Sequence, residues 1–77
     1  MGKIKNEIRR LRFEHGEMTQ QQLAEKINVT RQTVNAIEQG KYSPSLEVAF
    51  RIAAAFSMPL ESVFLYLPND PEGRQQT

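Results

Sequence analysis

Seventy-seven residues make one domain, with room for a modest core and a need for help from a partner or a second copy. The absence of cysteine excludes a disulfide scaffold and a thiolate metal site, and no apolar run approaches the ~20 residues of a membrane span. Net charge is only +1, but residues 1–51 hold nine Lys/Arg against six Asp/Glu while residues 52–77 hold one against three, so the basic charge gathers in the first two thirds.

The opening residues are charged throughout and do not resemble a signal peptide, so a cytoplasmic protein is expected. Residues 5–15 read as a first helix. Ile8 and Leu11 stand three apart, with Ile4 one turn earlier and Phe13 beside them. Gly16 stops it. His15, the single histidine, sits at the helix C-terminus, where a cation is favoured. It has no companions for catalysis or metal binding.

Thr19 with Gln22 three residues on is a capping-box pattern that opens a second helix. Leu23, Ala24 and Ile27 form its inner face, and the small Ala24 lets another helix cross closely. Asn28 is placed to end it in a left-handed conformation. Thr30 can cap a third helix and Gly40 can close it. Val34 and Ile37, with Val29 just ahead, make a narrow buried stripe. The remaining face carries Arg31, Gln32, Thr33, Asn35 and Ala36. Arg, Gln and Asn have paired donors and acceptors that match guanine and adenine edges in the major groove. Two short helices, at about 19–27 and 30–39, joined by so tight a turn are the helix-turn-helix arrangement.

A fourth helix spans 45–56, with Leu46, Ala49, Phe50, Ile52, Ala53 and Phe56 on a broad apolar face. Pro44 lies just ahead, and Ser43 or Ser45 is the cap. Pro59 opens a short fifth helix through Glu61, Ser62 and Val63. The apolar run Val63, Phe64, Leu65, Tyr66 and Leu67 then reads as a strand. A strand needs partners for its amides and carbonyls. Lys3-Ile4-Lys5, the same run of a second subunit, or both would serve. Residues 68–77 read as a polar, disordered tail.

The stretch Thr19-Gln-Gln-Gln-Leu-Ala-Glu-Lys-Ile-Asn-Val-Thr-Arg-Gln-Thr-Val-Asn-Ala-Ile-Glu-Gln-Gly-Lys41 resembles the helix-turn-helix of the Cro/phage-repressor (XRE) family. The resemblance continues through Tyr42-Ser-Pro-Ser-Leu46, Ile52-Ala53 and Pro59-Leu-Glu, covering roughly residues 4–66. It implies an all-α, five-helix, lambda-repressor-like DNA-binding domain over 1–67, with a short β-ribbon from the N-terminus and residues 63–67.

The implied function is sequence-specific binding of double-stranded DNA, most simply as a repressor. Two copies would sit on a pseudo-palindromic operator with helix 30–39 in the major groove, their half-sites ~34 Å apart. Arg31, Gln32, Asn35 and Ala36 would meet bases: Arg31 guanine, Gln32 adenine, Asn35 adenine or a phosphate, Ala36 a thymine methyl. Gln20 with the first-turn amides of its helix, Thr30, Thr33, Gln39, Lys41, and the amides near Tyr42 and Ser43 would hold phosphates. The resemblance pairs Arg12 with Glu38 and allows a dimer through Val63, Phe64, Leu65, Tyr66 and Leu67. No cofactor or metal is implied, and no catalytic residue. Any signal would act through an unknown protein, a small molecule or abundance. The alternative is an antitoxin or adaptor module on the same scaffold.

Overall fold

The computed structural model describes residues 3–68. The elements run β1 (Lys3–Asn6), α1 (Ile8–Glu14), α2 (Gln20–Ile27), α3 (Arg31–Glu38), α4 (Leu46–Ala55), α5 (Leu60–Val63) and β2 (Phe64–Leu67). Residues 69–77, where the tail was expected, lie outside the described residues.

The caps follow from local chemistry. Thr19 and Gln22 close a reciprocal box, hydroxyl to amide at 3.0 Å and amide to side-chain oxygen at 2.8 Å. Asn28 then takes φ 62° and ends α2 in the left-handed region. Its short polar side chain tolerates that region better than most. Thr30 caps α3 by accepting from the Thr33 amide. Gly40, at φ 75°, closes α3: its own amide bonds the Ile37 carbonyl and the Lys41 amide bonds the Ala36 carbonyl. That is a Schellman closure, and a side chain at Gly40 would be strained in it. Ser45, not Ser43, caps α4 through the Val48 amide.

Ile8, Leu11, Leu23, Ile27, Val34, Ile37, Ile52, Phe56 and Val63 are buried together, at the junction of all five helices. Each large side chain buried there contributes about 1.5–3 kcal/mol by leaving water. Ala24, fully buried, keeps α2 close to its neighbours, and α2 packs on both α3 and α4. The His15 ring lies 5.1 Å from that of Phe56, and its Nδ1–H donates to the Leu11 carbonyl at 2.8 Å.

Four expectations need correction. The first helix begins at Ile8, not residue 5, because Lys3–Asn6 pair antiparallel with Phe64–Leu67. Asn6 makes the junction: its Oδ1 accepts the Ile8 amide at 3.1 Å and its Nδ2 donates to the Ile37 carbonyl at 2.9 Å. Ile4 and Phe13 therefore stand exposed, Ile4 in the strand and Phe13 on the outer face of α1. On α4, Leu46 and Phe50 point outward, 68% and 53% exposed. The helix turns Ala49, Ile52, Ala53 and its cap residue Phe56 inward, and the expected face was too broad for what packs against it. Val63, expected at a dimer surface, ends α5 with no exposure at all.

Candidate nucleic-acid interface

α3 divides its residues cleanly. Val34 and Ile37 are buried, Arg31 and Gln32 are exposed, and Thr33, Asn35 and Ala36 lie between. The outward polar face is held by an inward apolar stripe only two residues wide. It also has polar support from α1 and α2.

That support centres on Glu38. Its side chain is 7% exposed, and that of Arg12 is 15% exposed. Arg12 Nε donates to Glu38 Oε2 at 2.6 Å and Nη2 to Oε1 at 3.1 Å, a two-pronged grip that suits a planar guanidinium. The third prong, Nη1, donates to the Met18 carbonyl at 2.7 Å. The group is sunk between α1, the loop before α2, and the end of α3. The surface pairs differ in kind. Arg10 lies between Glu7 and Glu14, and Arg51 reaches Glu47, all near solvent. The Arg10 pKa is raised first by the hydrogen bond it donates to Glu7 and then by those it donates to Glu14. Being solvated, such pairs add little stability.

Gln20, first residue of α2, donates from one Nε2 to Glu38 Oε1 at 3.2 Å and to Asn35 Oδ1 at 3.1 Å. Gln39 also donates to that Asn35 oxygen, at 3.3 Å. Both N–H groups of Gln20 are therefore turned inward. A phosphate held by this side chain, as expected, would have to draw one of those N–H groups away from Asn35 or Glu38. The first turn of α2 remains suited to an anion. The capping box takes the Thr19 and Gln22 amides and leaves those of Gln20 and Gln21.

The other candidates are placed as follows. The Thr30 and Thr33 hydroxyls lie 3.0 Å apart at the start of α3. Gln39, Lys41, Tyr42 and Ser43 are exposed in the segment after it. On β2, Phe64 is half-buried against the core while Leu65, Tyr66 and Leu67 are exposed. Among the described residues no group of His, Asp and Glu could hold a metal, and no helix is long and apolar enough to cross a membrane. The bridge from Gln20 to Asn35 was not foreseen. Its signal was there in principle: a helix-turn-helix brings the first turn of one helix across the other, and two amides meeting there will pair.

An apolar-backed, polar-fronted α3, braced across a three-residue turn by α2, defines the class: a helix-turn-helix domain. A helix-turn-helix family model matches residues 8–63. The chain is 48% identical over 63 residues to an uncharacterized HTH-type transcriptional regulator of Methanocaldococcus jannaschii, covering 82% of this chain and 94% of the relative. It is 51% identical over 61 residues to the uncharacterized regulator YgzD of Bacillus subtilis, covering 79% and 91%. A crystal structure of a Bacteroides fragilis protein superposes with a TM-score of 0.68 at 20% identity, covering 79% of this chain and 97% of that one, which bears on the fold alone. The chain belongs to the helix-turn-helix family, in its Cro/phage-repressor (XRE) branch. This is a family of DNA-binding transcriptional regulators and not one of enzymes.

Proposed function

We propose that this protein reads double-stranded DNA as a homodimer and regulates transcription in the cytoplasm, most simply by repression at a pseudo-palindromic operator. The observation that carries the reading is the outward face of α3, with Arg31 and Gln32 solvent-exposed ahead of buried Val34 and Ile37. α3 enters the major groove N-terminus first. Arg31, Gln32, Asn35 and Ala36 face base edges. The backbone N–H of Gln20, with Thr30, Thr33, Gln39, Lys41, Tyr42 and Ser43, lies along the phosphates and fixes register. Leu65, Tyr66 and Leu67, exposed on a two-stranded ribbon, favour a second copy there. An edge strand with apolar side chains is a template for pairing.

Titration of the purified chain against duplex DNA at rising salt tests this. Phosphate contacts release counterions, so the logarithm of affinity should fall linearly with the logarithm of salt, by roughly 0.9 per contact. Binding without salt dependence, or none at low salt, would sink it.

A further inference from the structure

The carboxylate of Glu38 carries information outward. A carboxylate accepts and does not donate, so the Gln20 amide next to it must present its NH2 group and not its oxygen. The same Nε2 faces Asn35, so the Asn35 atom beside it must be an acceptor, Oδ1. Gln39 Nε2 reaches that oxygen as well. The orientation of each amide is thus settled by the one before it, starting from a charge that Arg12 fixes in the protein. The oxygen of Asn35 is occupied from two sides, and its NH2 group is what remains to face a ligand.

This matters because adenine is read by an Asn that uses both ends of its amide, accepting from the N6 amine and donating to N7. Asn35 has only the donating end to offer. We propose that Asn35 reads its base pair as a donor alone, taking an acceptor such as a purine N7, guanine O6 or thymine O4 and making no use of the adenine N6 amine. Gln20, oriented by Glu38, is the positioning residue that imposes this choice. The inference rests on the DNA-reading function proposed above and replaces the adenine assignment expected for Asn35.

The test is enrichment of bound duplexes from random DNA by the full chain, its Asn35→Ala variant and its Gln20→Met variant. Met keeps the length of Gln20 but cannot donate, and it leaves the Arg12–Glu38 pair in place. Asn35→Ala should erase the preference at one base pair per half-site, with affinity for the best site falling about five-fold. At that pair the wild type should tolerate replacement of any adenine by purine, which lacks the N6 amine. Gln20→Met removes the donor that Glu38 fixes and leaves only the longer, exposed bond from Gln39, so that the Asn35 amide should turn and N6-dependent adenine recognition should appear at the same pair.

The proposal is overturned if the wild type already loses affinity when the N6 amine is removed, or if Asn35→Ala weakens all sequences alike. It is overturned equally if Gln20→Met leaves the preference at that pair unchanged. Should the wild type enrich no sequence at all, the DNA-reading function itself fails, and this inference with it.

Discussion

α3 and α4 are neighbours of similar length that use their apolar residues in opposite ways. α3 has few, and it buries the two that matter, Val34 and Ile37. α4 has many, and it leaves two of the largest, Leu46 and Phe50, in solvent. The difference lies in what surrounds each helix. α3 shows the core one narrow stripe, and the rest of its surface is polar. α4 is apolar over more of its circumference than α2 and α5 can cover. A narrow stripe fixes rotation about the helix axis, and that rotation decides which side chains face outward. Few apolar residues, well placed, therefore orient a reading face more tightly than many.

Substitutions can break or sharpen that contrast. The largest effect is expected at Ile52, on the inward side of α4. Ile52→Ala should cost about 4 kcal/mol, read as a lower midpoint in chemical denaturation, because the cavity adds to the lost transfer energy. Next comes the brace behind α3. Glu38→Ala leaves Arg12 largely buried without its partner and should cost about 3 kcal/mol in the same experiment. Smallest is Phe50→Ala, on the outward side of the same helix as Ile52. Its stability should change by less than about 0.5 kcal/mol, read as a nearly unmoved midpoint, since an exposed side chain loses little. A large loss at Phe50 would mean that something covers this face in solution, and the contrast between the helices would shrink.

The ribbon offers a separate check on assembly. Leu65→Glu should shift the chain to monomers in sedimentation equilibrium and weaken binding to a two-half-site duplex more than to a single half-site. An unchanged dimer would move the interface elsewhere.

Much of the fold could be read from the sequence, and for local reasons. The Thr19/Gln22 box, the left-handed Asn28 and the closing Gly40 each involve residues at most five apart, where chemistry and spacing settle the outcome. The two buried residues of α3 followed from the helical period. What escaped depends on distant chain. Lys5 and Asn6 continue the helical pattern of α1 on paper, yet they become strand because β2, some sixty residues away, supplies partners. The exposure of Leu46 and Phe50 depends on how much of α4 its neighbours cover, which no period reveals. Val63 sits at the joint between helix and strand, and its burial is set by the core below it. The pairing of Arg12 with Glu38 came from family resemblance and not from spacing. The Gln20–Asn35 bridge joins residues fifteen apart across a helix crossing.

The most direct measurement is the affinity of wild type and Arg31→Ala for an enriched duplex and for a random one of equal length. Arg31→Ala should lose about 1–3 kcal/mol on the enriched duplex, relax selectivity at one base pair and leave the denaturation midpoint where it was. Equal affinity of the two proteins for both duplexes would show that the outward face of α3 does not read DNA.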